Sequence, residues 1–319
     1  MEVLIDNKNG TVWDIPVSSV HWKTSRIGKA GTLDLKVIIS ESLKFPINNG
    51  DIVRVTDGEN KIFYGYVFEV GCKQGDEVNI KAFDQLRYLM FNDTFTFAST
   101  TASDAIKKIA IDAQLKIGIF EDTAYKMPPL VEDDKKAFDV VSKFLDSTLI
   151  ETHRNFVLYD NFGALDLKNI ENMVIPADDF YIGEDSLLFD FDYKRSIDKE
   201  TFNRVKLRQD NKQSGKREDY ITQDSTNISK WGRLQHFQKV DEKMTTAQIT
   251  DLLDKLIQIR NRETKSLSLE ALGHWKVRAG SFIFVYIEKL GIKEYFLVEE
   301  CSQKWESGVH TMSLEVKII

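Results

Sequence analysis

Groups able to do chemistry are plentiful in this chain, but not in the patterns that chemistry requires. Five histidines, His21, His153, His236, His274 and His310, are scattered with no spacing that would bring two of them onto one metal. Cys72 and Cys301 are too few for a disulfide framework and lack the spacing of a zinc site, so they read as reduced apolar residues. The densest acidic stretch, "DDFYIGEDSLLFDFD", carries Asp178, Asp179, Glu184, Asp185, Asp190 and Asp192 with no basic residue among them. A hard-cation loop needs a turn glycine and a bidentate carboxylate at set offsets, which are missing here. The stretch reads as a solvated face, with a negative wall along a passage as the alternative. Glu299 and Glu300 are adjacent, and neighbours on a strand point to opposite faces, so they cannot flank one glycosidic bond. Glu151 and His153 sit two apart after a helix, an isolated pair with no pocket attached to it. Gly-rich phosphate loops, HExxH, GxSxG, CxxC and EF-hand loops are absent from the sequence. The expectation is therefore no catalytic residue, no cofactor and no metal. Two alternatives remain: a peptidoglycan-degrading hydrolase using some of the many carboxylates, and a carbohydrate- or protein-binding β module whose Trp13, Trp22, Trp231, Trp275 and Trp305 form a stacking surface.

The composition says what must position such residues. In 319 residues there are 20 Phe, 10 Tyr and 5 Trp, set among many Val, Ile and Thr, which suits half-buried pleated surfaces. The length allows about two or three domains. A net charge of −7 argues against a protein that holds nucleic acid by its phosphates, so no sequence-specific nucleic-acid binding is expected. The opening "MEVLIDNKNGTVWDI" has no basic segment followed by an apolar one, and no window approaches the roughly 20 apolar residues of a membrane span. Folding in a cytosol-like compartment, without membrane anchoring, is the expectation.

One device occurs twice. "TLDLKVII" alternates apolar and polar residues, "INNGDIVRV" turns at Gly50 and restarts the pleat, "DGEN" makes a hairpin, "FYGYVFEV" returns, "KQGDE" turns and "VNIKAF" closes. Later "SLSLEAL" alternates, "KVRAGS" turns at Gly280, "FIFVYI" is a strand, "EKLGIKE" makes the hairpin, "YFLVEEC" returns, "WESGVH" turns and "TMSLEVKI" closes. The separation is 230 positions at Gly50/Gly280, 231 when Tyr64 is set on Tyr295, and 232 when Ile80 is set on Met312. Slow drift of this kind fits one scaffold whose surface loops change length while strand registers do not. Two unrelated five-stranded meanders would share the same punctuation, and this reading stays open beside duplication.

Between the copies the period changes. "TASD" puts Thr101 and Asp104 in capping-box positions before a helix with Ile106, Ile109, Ala110 and Ala113 on one face. Pro128 and Pro129 break the chain, and a second helix carries Phe138, Val141, Leu145 and Leu149 on one side. "NFVLYDNFGALDL" is a hairpin turning at Asn161 to Gly163. "NRVKLR" reads as the first strand of the second barrel, and "SGKRED" as an exposed hairpin tip. A third helix has Ile249, Leu252, Leu253, Leu256 and Ile259 as its stripe and Thr245 with Gln248 as its capping box, and is expected to pack outside the barrel or on a neighbouring subunit. The fold class is mainly β with an α+β insert: two similar antiparallel β-barrels, a small α+β domain and accessory helices. The boundaries are 1–94, 95–180 and 181–319, with an inserted helix at about 245–262.

The order of "TASDAIKKIAIDAQL", "FDVVSKFLDSTLIETHRNFVLYDNFGALDL", "YKRSIDKETFNRVKL", "DSTNISKWGRLQ" and "RAGSFIFVYI" through "YFLVEECSQKWESGVHTMSLEV" resembles the baseplate hub proteins of contractile phage tails. That family includes the late-control D proteins and the hubs of PBSX-like prophages and phage-derived bacteriocins. The resemblance spans nearly the whole chain and rests on the order of its parts, since no single motif is a signature. It implies tube-type barrels, a homotrimer with six near-equivalent units, and a structural rather than enzymatic role. It also implies synthesis in a bacterial cytoplasm, incorporation into a phage-like particle, and a tail tube protein, a spike protein, a tape measure and other baseplate proteins as partners. The resemblance covers no lysozyme or peptidase module in these residues, so lysis is not among the expectations. Under this reading the turns at Gly50 and Gly280 mark the repeat, and the strands bearing Val53, Val55, Phe284 and Tyr286 are expected to make subunit contacts through their edges.

Overall fold

The computed structural model describes residues 1–38, 47–72, 77–210 and 216–318. The turn read in "KQGDE" falls largely outside these residues, as does the start of "SGKRED". The first β unit comprises β1 (Glu2–Asp6), β2 (Val12–Asp14), β3 (Val17–Ser25), β4 (Thr32–Ile38), β5 (Ile52–Asp57), β6 (Asn60–Cys72) and β7 (Glu77–Phe83). Its alternating residues do what a period of two demands: Leu33, Leu35, Val37, Val53, Val55, Ile80 and Ala82 are sealed in one core while their neighbours face outward.

The insert contains β8 (Asn92–Phe97), β9 (Thr100–Thr101), α1 (Ala102–Asp112), β10 (Ile117–Phe120), β11 (Lys126–Met127), β12 (Leu130–Lys136), α2 (Ala137–Thr152), β13 (Phe156–Asp160) and β14 (Leu165–Asn169). The Thr101 side chain caps α1 by accepting from the Asp104 N–H, and Ile106 and Ile109 are buried as the spacing predicts. On α2 the buried face is wider than the predicted stripe. Phe138 and Val141 are in the core together with Val140, Phe144 and Thr148, whereas Leu145 only packs against its margin.

β15 (Tyr181–Gly183) and β16 (Leu188–Ser196) follow. "NRVKLR" does not open the second barrel. It lies in β17 (Arg204–Asp210), which pairs with β18 (Arg217–Gln223) and, beyond the short helix α3 (Ser225–Trp231), with β19 (Gln235–Val240) in a separate sheet. The third predicted helix, α4 (Thr246–Arg260), keeps its Thr245/Gln248 capping box. It covers this sheet rather than a barrel, burying Ile249, Leu253 and Leu256 against Val205 and Leu207. The stripe was legible, but the surface it meets is a tertiary choice.

The second β unit adds β20 (Thr264–Leu272), β21 (Phe282–Ile287), β22 (Ile292–Glu306) and β23 (Val309–Lys317) to β15 and β16. The first unit has the neighbour order β3-β4-β7-β6-β5-β1, and the second has β16-β20-β23-β22-β21-β15. Position by position these are the same ladder, except that β1 runs antiparallel to β5 while β15 runs parallel to β21. The molecule is mainly β, and β22 joins β3 so that both units share one continuous sheet.

Candidate functional site

The repeated turn is where the two units agree most closely. Gly50 has φ +89° and Gly280 has φ +94°, a region open to glycine at little cost. The Gly50 N–H donates to the Val67 carbonyl at 2.7 Å, and the Gly280 N–H to the Val298 carbonyl at 2.8 Å. In return the Val67 N–H donates to Asp51 and the Val298 N–H to Ser281, each at 2.9 Å. Both long strands then bulge at the next position: the register shifts between Val67 and Glu69 in β6, and between Val298 and Glu300 in β22. Past the bulge, Val70 faces Ile80 as Cys301 faces Leu314. The counterpart of Ile80 is therefore Leu314, two residues beyond Met312. Both Met312 and Leu314 point inward, so alternation alone could not separate them.

Between the units runs a seam. β22 and β3 pair antiparallel, from Glu300 opposite Ser25 to Glu306 opposite Ser19. Side chains reinforce it: His21 Nε2 and Ser302 Oγ are 2.5 Å apart, Arg26 Nε donates to Glu299 at 3.0 Å, and Lys29 pairs with Glu300 at 2.7 Å. Burial, followed by the nearby Lys23 charge, holds the His21 imidazole below its ordinary value. A groove of about 790 Å³ crosses the seam, and its lining includes Lys23, Lys29, Arg87, Glu270, Glu300 and Glu315.

A polar cluster locks the insert into the angle between the units. The Arg278 guanidinium lies over the Tyr159 ring and donates from Nη1 to the Asp160 carbonyl at 3.1 Å. Asp84 is buried, accepting from the Gly31 and Leu86 N–H groups, and Asp160 accepts from Gln85 and Gly163. Burial, then the charge of Asp160, pushes the Asp84 carboxyl well up; burial likewise raises Asp160 and lowers Arg278. Gly163 abuts the Tyr64 ring of the first unit, while Val157 of β13 abuts Gly280 of the second. None of Arg278, Asp84 and Asp160 was singled out from the sequence. The available signal was a charge inside "KVRAGS", immediately before a turn in an otherwise apolar pattern.

The predicted contact strands sit differently from the expectation. Val53 and Val55 are sealed in the first core, and β5 is paired on both edges, by β1 and β6. Phe284 and Tyr286 face outward from β21, which is likewise paired on both sides, by β15 and β22. Contact between subunits through the edges of these strands is thus blocked by pairing within the chain. Residue parity put Val53 and Phe284 on opposite faces: Arg54 is the true counterpart of Phe284, since they face Tyr64 and Tyr295 respectively.

The remaining chemical candidates lie on several elements, although His153 and Glu299 both line a cavity of about 640 Å³. Glu299 pairs with Arg26 and Lys317, Glu300 with Lys29, and Glu151 with Lys255. His153 ends α2 in a left-handed conformation. Cys301 is buried and its thiol is pushed up to about 12 by burial, whereas Cys72 is exposed at the end of β6. His310 stacks on Trp305, and burial holds it down at about 4. Trp22 is in the first core, Trp275 stacks beside His274, and Trp231 ends α3, so the tryptophans are spread over different elements.

A family model described as YQBQ-like matches residues 20–317. Over 313 residues the chain is 26% identical to YqbQ of Bacillus subtilis (strain 168), covering 96% of this chain and 94% of that protein. It is also 26% identical over 277 residues to the phage-like element PBSX protein XkdQ of the same organism, covering 85% and 82%. Among solved structures it is similar to the prophage MuSo2 43 kDa tail protein from Shewanella oneidensis, with a TM-score of 0.71 and 14% identity over 99% of this chain and 98% of that one. It is similar too to the tail protein from Neisseria meningitidis MC58, with a TM-score of 0.69 and 13% identity over 99% and 96%.

Proposed function

We propose, from the premise that the chain belongs to the YQBQ-like family, a structural role in a phage-like tail: a baseplate hub in which three copies form a ring of six near-equivalent β units. The observation that carries this reading is the doubled ladder order joined through β22 and β3. A chain holding two matched units lets a threefold assembly present six similar sites on one side and three on the other. Such a part joins a sixfold tail tube to a threefold spike. Relatives named as a phage-like element protein and as tail proteins support the tail setting. Tube, spike, tape measure and other baseplate proteins are the partners under this reading, and the particle is its location. The role needs no catalytic group.

The test is mass and shape. Light scattering on the purified chain and on protein released from particles should give three copies, and negative-stain images should show a ring with six lobes. A chain monomeric in both settings defeats the proposal. Clearing of peptidoglycan in a zymogram, lost on substitution of one carboxylate, would favour the hydrolase instead.

A further inference from the structure

The two units share one ladder order, yet among the described residues the seam is made only once. β22 has three neighbours: β21 along its first half, then β23 and β3 on either side of its second half. Its counterpart β6 has β5 along its first half and β7 along its second. On the other side of β6 beyond Tyr66, no strand pairs among the described residues. β3 has β4 and β22 as neighbours, while among the described residues its counterpart β16 has β20 alone. The second half of β6 and the outer edge of β16 are therefore the two halves of a second seam. They lie in different units, with their backbone groups available for pairing.

The ladders fix which residues correspond. Trp22 faces Leu33 as Tyr193 faces Leu267, so Lys23 corresponds to Lys194 and Ser25 to Ser196. Glu69 follows the bulge in β6 as Glu300 follows it in β22. At the seam within the chain, Glu300 lies opposite Ser25 with Lys23 on the diagonal of the same face. The open edges carry the same three residue types at the corresponding positions: Glu69, Ser196 and Lys194. Glu69 and Lys194 are exposed, and within the chain Glu69 lies opposite Lys81 across the β6–β7 ladder.

We propose that β6 pairs antiparallel with β16 of a second copy of this chain, with Glu69 opposite Ser196, Val70 opposite Arg195, Gly71 opposite Lys194 and Cys72 opposite Tyr193. This deepens the hub reading and rests on it: the inner seam joins units within a chain, this one joins chains, and alternating the two closes six units with three copies. Cyclic closure leaves neither edge open to uncontrolled pairing.

Disulfide trapping tests the register, because directly opposed residues on antiparallel strands lie within bridging distance. In a Cys72→Ser background, Gly71→Cys combined with Lys194→Cys places two thiols face to face. Both sites tolerate the change, since among the described residues a side chain at Gly71 meets only the Asn79 carbonyl at 3.9 Å and Lys194 is exposed. As a second variant, Tyr193→Cys uses the native Cys72 as its partner. Oxidation should link most chains into covalent species ending at three copies, reversed by reductant, and Lys194→Cys alone in the Cys72→Ser background should stay unlinked. A trimer by light scattering that fails to link in both variants overturns the register while leaving the hub reading standing. A monomer overturns both. Linked species growing beyond three copies overturn the closed ring.

Discussion

The Arg278 guanidinium lies 4.0 Å from the centre of the Tyr159 ring, in the angle where the insert meets both β units. From there it also reaches the backbone of Asp160, whose carboxyl and that of Asp84 are both buried. One cation thus balances two acids drawn from different parts of the chain, and its Nε is sealed from solvent without a hydrogen-bond partner among the described residues.

Removing that cation should be costly. Arg278→Met leaves two buried carboxyls uncompensated, at about 3 kcal/mol. Burial already raises both carboxyls, so the folded state keeps protons that the unfolded state gives up above about pH 4, and stability falls as pH rises through the folded values. Without Arg278 those values rise further. Urea midpoints should therefore show a larger loss at pH 8 than at pH 5, and an equal loss at both would refute the assignment.

The two turn glycines should differ in sensitivity. Gly50→Ala meets no atom of the described residues within 4 Å and suffers the positive φ, about 1 kcal/mol. Gly280→Ala suffers the same strain and also presses its Cβ to 3.0 Å from Val157 Cγ1, in the wedge between the insert and the second unit. Thermal melts should rank wild type above Gly50→Ala above Gly280→Ala. Equal shifts would mean the wedge yields freely.

Proline at Val53 or Phe284 should prevent folding rather than assembly. β5 and β21 are each paired on both edges, so the substitution disrupts an interior strand, at about 3 kcal/mol or more. Circular dichroism of the purified variants should show lost β structure. A folded chain that merely fails to associate would contradict this placement.

Acid should weaken the second unit through His310. Gln303 Nε2 donates to the carbonyls of His274 and Val277, which leaves Gln303 Oε1 to accept from a neutral His310 Nε2–H. Burial lowers His310 to about 4, below the ordinary 6.5, so the unfolded chain binds more protons between these values and stability is lost as pH falls across that window. His274, also lowered by burial, adds in the same direction. His310→Phe should be less stable than wild type at pH 7 by about 1 kcal/mol yet lose less on acidification to pH 4.5. An unchanged pH slope in denaturant titrations would assign the effect to other groups.

What the sequence determined by itself was local. Glycine at positions 50 and 280, alternation around each, and capping residues at Thr101 and Thr245 act within a few residues, so the turns, strands and helix starts could be read directly. Tertiary structure decided what those elements meet. A period of two is unchanged by a slip of two, so Met312 and Leu314 looked equivalent until β23 was seen beside β22. An apolar stripe states only that something covers it, so α4 was free to settle on β17 and β18 instead of a barrel. The seam of β22 with β3, and the gathering of Asp84, Asp160 and Arg278, depend on hydrogen bonds and burial between residues far apart in the chain. The side chains along such a pairing can be matched only once the ladders are known, and only the closed three-dimensional path brings those groups together.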